Sequence, residues 1–127
     1  MRTMPTIAAL ALLAPVLAAA KPNPTPPVYV ATGKQTSCVQ ERDLDTIVPL
    51  TPTALLFKMK GGGSYRSDLD SKCDYDPDWD VIVHQSPTTS FCSGEILQLQ
   101  HRDPPGVFKG ACIIGPFTPV KRAPAQP

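Results

Sequence analysis

Four cysteines in a short chain, Cys38, Cys73, Cys92 and Cys112, constrain this sequence more than any other feature. At wide spacing an even number reads as a disulfide framework in an oxidising compartment, and as metal or redox chemistry in a reducing one. The N-terminus decides between the two. Residues 1–20, MRTMPTIAALALLAPVLAAA, place Arg2 ahead of an apolar run and end in Ala18 and Ala20, the small residues of an A-x-A cleavage site. This is the pattern of a secretory signal peptide, cleaved after Ala20. The run from Ile7 to Ala20 contains Pro15 and falls short of the about 20 apolar residues that a spanning helix needs. No later stretch is long enough, so no transmembrane segment is expected after signal removal, and the expected location is periplasmic or secreted.

Two disulfides are therefore expected. Of the three pairings the nested one, Cys73 with Cys92 and Cys38 with Cys112, is favoured because it would join the two ends of the domain. In the chain-entropy view, bridges of such reach contribute roughly 3 to 5 kcal/mol each, which suits a domain with a small core.

Between the cysteines, helical periodicity is scarce, and short alternating or apolar runs are bounded by Gly, Pro, Asp and Ser. The expected strands are 36–40, 46–50, 54–60, 64–69, 79–84, 95–101, 111–114 and 117–120. About six to eight short strands predict an all-β fold, a small disulfide-tied β-barrel or two-layer sandwich. Lys21 to Pro27, KPNPTPP, can neither form a helix nor pair well. The expected layout is a signal peptide at 1–20, a Pro-rich flexible leader at 21–35, one β domain at 36–120 and a flexible tail at 121–127. Within the domain, ALLFKMK-GGG-SYRSDL predicts a hairpin whose loop is Gly61–Gly63, with Lys60 opposite Ser64 and Phe57 opposite Ser67. In the strand at 79–84, Trp79, Val81 and Val83 share one face and are expected in the core.

Lys and Arg number 12 against 11 Asp and Glu, and removal of Arg2 leaves a neutral chain. General nucleic-acid binding requires a large basic excess to displace counterions and is not expected. Chemistry concentrates between Cys73 and Cys92. Asp74, Asp76, Asp78 and Asp80 alternate there as carboxylates do in a calcium loop, but Trp79 stands where that loop needs glycine and Gln85 where it needs a bidentate glutamate. A solvated acidic turn is the plainer reading. His84 and His101, with the cysteines, lack the close ligand pairs of zinc sites. GGGSY is no nucleophile elbow, and aspartates in one turn cannot straddle a glycosidic bond.

Three blocks, LLFKMKGGGSYRSDLDSKC, FCSGEILQL and GACIIGPFTPV, resemble a family of short exported bacterial proteins, a β-rich domain of unknown function with Cys-Ser-Gly-acidic and Gly-x-Cys-x-x-Gly-x-Phe motifs. The likeness covers about residues 36–120, with Cys38-Val39 in the place of an early Cys-Ile. The chain departs from it at TPT, 51–53, where the family has an acidic pair, and at DYD after Cys73, where it has Pro-Gly-Leu. The resemblance implies that the aspartate run is a local elaboration, and it supplies no catalytic residues. The expectation is an exported structural or binding module for an envelope protein or other ligand, with no catalytic constellation and no cofactor; the alternative is a calcium-binding or calcium-stabilised envelope protein.

Overall fold

The structure, a computed structural model, describes residues 15, 18–22 and 25–124. Most of the expected signal peptide and the last three residues of the expected tail lie outside them. Ten strands occur among the described residues: β1 Tyr29–Ala31, β2 Cys38–Gln40, β3 Leu44–Thr51, β4 Ala54–Met59, β5 Ser64–Asp68, β6 Asp80–His84, β7 Ser90–Cys92, β8 Ile96–His101, β9 Phe108–Ile113 and β10 Phe117–Arg122, with one 3₁₀ turn at Glu41–Asp43. The fold is all-β, as the alternation of the sequence predicts. Its strands form three antiparallel sheets, ordered β1-β10-β5-β4-β3, β2-β7 and β6-β8-β9, which do not close into a barrel.

All three sheets contribute to one core. Ile47, Leu55, Phe57 and Phe117 come from the five-stranded sheet, Val39 and Phe91 from the pair, and Leu97, Leu99 and Cys112 from the three-stranded sheet. Phe57 is the hub, edge-on to Phe91 at 5.8 Å and to Phe117 at 5.0 Å. Such aromatic pairs add roughly 0.5–1.5 kcal/mol beyond area burial.

The structure corrects the sequence reading at four places. The disulfides cross instead of nesting, joining Cys38 to Cys92 and Cys73 to Cys112. Register is the reason: β2 and β7 pair with Cys38 directly opposite Cys92, while Cys73 follows β5 and packs against Cys112 in the core. The hairpin loop begins one residue earlier than expected. Phe57 opposes Tyr65, and Met59 N–H closes onto the Gly63 carbonyl at 2.9 Å, so the loop is Lys60–Gly62. Its third position needs a left-handed backbone, which Gly62 supplies at φ 91°. Lys60 settles the choice among three glycines, since its amide donates to the Asp43 carbonyl and its ammonium to the Arg42 carbonyl. The pairing is offset by two residues, so each side chain keeps its expected face.

The third correction inverts β6. Trp79 is 68% exposed and Val81 40%, while Asp80 is fully buried and Ile82 packs against the core. β6 is an edge strand, and its inner face tolerates a carboxylate because that carboxylate finds a lysine. Fourth, the paired region is wider than 36–120. Tyr29–Ala31, placed in the leader, pairs with Val120–Arg122, two residues of which were placed in the tail. Pairing satisfies backbone groups that composition alone assigns to solvent.

One close approach fixes the far end of the core. Gly115 lies against the Asp68 carbonyl, where any Cβ would collide. Ser67, fully buried, both accepts from Gly115 N–H at 3.0 Å and donates to its carbonyl at 3.1 Å.

Candidate functional site

The four alternating aspartates do not form one ligand cage. Asp74 has its side chain 97% exposed, with Oδ2 3.8 Å from Lys109 Nζ. Asp76 accepts from the Asp78 amide at 3.0 Å, a local turn. Asp80 points inward, where Oδ2 accepts from Lys109 Nζ at 2.6 Å and from Asp76 N–H at 2.8 Å. Among the described residues, no group of three or more His, Cys, Asp or Glu is placed to hold a metal ion.

A β-bulge brings Lys109 to this position. Leu99 opposes Gly110 but Gln100 opposes Phe108, so Lys109 is the extra residue of β9 and reaches the inner face. Burial pushes the Asp80 carboxyl up, but the Lys109 hydrogen bond, the Asp76 amide and the charges of Lys109 and His101 outweigh it and hold it below the usual range. The Asp80 hydrogen bond in turn raises Lys109 against the effect of burial. Asp80 Oδ1 has no hydrogen-bond partner; His101 Nδ1 is 3.6 Å away. On the β4–β5 hairpin the basic side chains are dispersed, with Arg66 bonded to Asp68 at 2.8 Å and Lys58 opposite Ser64.

Glu95 forms a second polar node, one that the sequence reading passed over. Its carboxylate accepts from Cys92 N–H at 2.8 Å and from Ser86 Oγ at 2.8 Å, and it bonds His84 Nε2 at 2.8 Å. The Cys92 amide is the leading cause that holds Glu95 below the ordinary carboxylate range, with burial opposing and His84 and Ser86 assisting. The carboxylate lies between Ser86 and His84 and bonds both, whereas a nucleophilic triad needs serine bonded directly to histidine. The arrangement anchors the turn after β7 to β6. The His84 ring stacks on Phe91 at 4.1 Å with 20° between planes. The Ser-Gly-Glu that follows Cys92 was the available signal, a turn with an acid positioned to cap it.

Between these nodes the three sheets meet around an open groove of ≈ 450 Å³. Leu44 and Ile47 of β3, Ile82 of β6 and Phe91 of β7 line it with apolar surface, and Glu41, Tyr75 and His84 add polar groups. Burial raises the Tyr75 hydroxyl above its usual range, with Arg102 opposing, so Tyr75 offers a neutral O–H donor at neutral pH. Behind the groove, the outer face of the three-stranded sheet exposes Trp79, Val81, Ile96, Phe108 and Ile113.

All four cysteines are bonded, which removes the thiolates a zinc site or a Cys–His nucleophile would need. No helix among the described residues is long and apolar enough to cross a membrane. No protein-family model, curated protein or solved structure matches the chain.

Proposed function

We propose that the protein is an exported binding module that receives an apolar group of its ligand or partner in the groove at the meeting of the three sheets. The groove carries this reading: its volume lies in the range of ligand seats, typically about 300–1,000 Å³, and its lining sets the apolar side chains of Leu44, Ile47, Ile82 and Phe91 beside the polar groups of Glu41, Tyr75 and His84. Glu95 holds the His84 ring from behind, and Phe91 holds it from the side, so one wall is ordered before anything binds. The signal-peptide pattern of residues 1–20 and the two disulfides support export to an oxidising compartment. The likeness of the cysteine-bearing blocks to short exported bacterial proteins belongs to the same proposal and names no ligand.

The test is native mass spectrometry of the protein recovered from an envelope extract, beside an Ile82→Trp variant that fills the groove. Bound mass on the parent and none on the folded variant is the expected result. Equal occupancy would place the ligand elsewhere, and turnover of an envelope substrate that depended on His84, His101 or an aspartate would replace binding with catalysis. Calcium binding at Asp74, Asp76, Asp78 and Asp80 is the other reading drawn from the sequence. Because Asp80 is bonded to Lys109, the expected melting temperature is the same with calcium and with chelator; a rise with calcium would restore that reading.

A further inference from the structure

The two disulfides occupy opposite environments. Cys73 and Cys112 are 5% and 1% exposed and belong to the core cluster. Cys38 is exposed and Cys92 half-buried. Their bridge spans β2 and β7, two strands of three residues that pair only with each other, with Val39 and Phe91 as the single pair directed into the core. Access of an attacking thiolate governs thiol–disulfide exchange, so solvent exposure separates a labile bridge from an inert one.

From this contrast we infer that Cys38–Cys92 is a thiol–disulfide exchange site, opened by an external dithiol while Cys73–Cys112 stays closed. The dithiol's thiolate attacks Sγ of the exposed residue Cys38, the Sγ–Sγ bond breaks, and Cys92 leaves as a thiolate that takes a proton from solvent. The second thiol of the reagent then displaces Cys38 from the mixed disulfide. The bridge gains two electrons and two protons, and the dithiol is oxidised to its own disulfide. Cys73–Cys112 keeps the three-stranded sheet tied to the segment after β5 throughout. The chain thus combines a permanent bridge with an exchangeable one, and the exchangeable one borders the strand that carries Phe91. This inference does not depend on the groove being a ligand seat.

Dithiothreitol titration of the full-length protein tests it, with alkylation at each step and peptide mapping of the four cysteines. Labelling of Cys38 and Cys92 at a rate about tenfold or more above that of Cys73 and Cys112 is expected, with the far-UV spectrum retained. Labelling of all four together, or of Cys73 and Cys112 first, overturns the inference. A Cys38→Ser/Cys92→Ser variant provides the second measurement. It should fold with Cys73–Cys112 formed and take no label under the conditions that label the parent; labelling at those residues would show that their protection comes from the other bridge and refute the assignment.

Discussion

Replacing Lys109 with methionine asks how much the inward lysine contributes at the base of β6. The substitution keeps most of the side-chain volume and removes the charge whose Nζ lies 2.6 Å from Asp80 Oδ2. Asp80 is then a fully buried carboxylate with only the Asp76 amide as donor. Breaking a buried pair from one side costs about 3–5 kcal/mol. Here the Lys109 side chain is 21% exposed and that of His101 40%, so water is close and the lower bound applies, about 3 kcal/mol. For a domain of this size that lowers Tm by about 12–24 °C. Asp80→Leu together with Lys109→Met removes both charges and should recover most of the loss, because apolar replacement of a buried pair is often neutral or stabilising. Urea unfolding followed by circular dichroism, with disulfides intact, measures the cycle; Trp79 is already exposed and reports little. The sign of the pH dependence is an internal check. Asp80 is depressed in the folded protein, so its contribution is present above the unfolded pKa of about 4 and is lost as pH falls through the lower folded value. The gap between parent and Lys109→Met should therefore close in strong acid. A single variant within about 0.5 kcal/mol of the parent at neutral pH would refute the reasoning.

Stability as a whole should fall in acid as Asp80 and Glu95, both depressed, are protonated, and should fall again above about pH 10 as Lys109, which is raised, loses its proton; thermal melts across pH check both limits. Gly115→Ala should cost about 3 kcal/mol, at the upper end for overpacking, since its Cβ meets the Asp68 backbone and not a movable side chain. Phe57→Ala should cost about 3–5 kcal/mol, whereas Trp79→Ala should stay within about 0.5 kcal/mol, as expected for an exposed ring. Comparable losses for both in urea titrations would contradict the facing of β6 described above. Non-reducing peptide mapping should recover Cys38 with Cys92 and Cys73 with Cys112, and a Cys38–Cys112 peptide would reverse that correction.

Strand identity was legible because alternation and turn residues are local: eight of the ten strands lie close to where the sequence placed them, Cys38–Gln40 being the first and Phe117–Arg122 the last. The two missed, Tyr29–Ala31 and Ser90–Cys92, are three residues long, too short to show a period, and exist because a partner strand is beside them. Burial direction was not legible for β6. Period two says that Trp79 and Val81 oppose Asp80 and Ile82, but which set faces the core depended on Lys109, brought in from 29 residues away by a bulge. The same holds for the cysteines. The sequence by itself determined their number and the class of fold, both of which follow from composition and near-neighbour pattern. Tertiary structure alone decided the crossed pairing, the polar node at Glu95 and the groove, because each is set by which strands meet in register, and pairing energies between distant segments leave no mark on either segment alone.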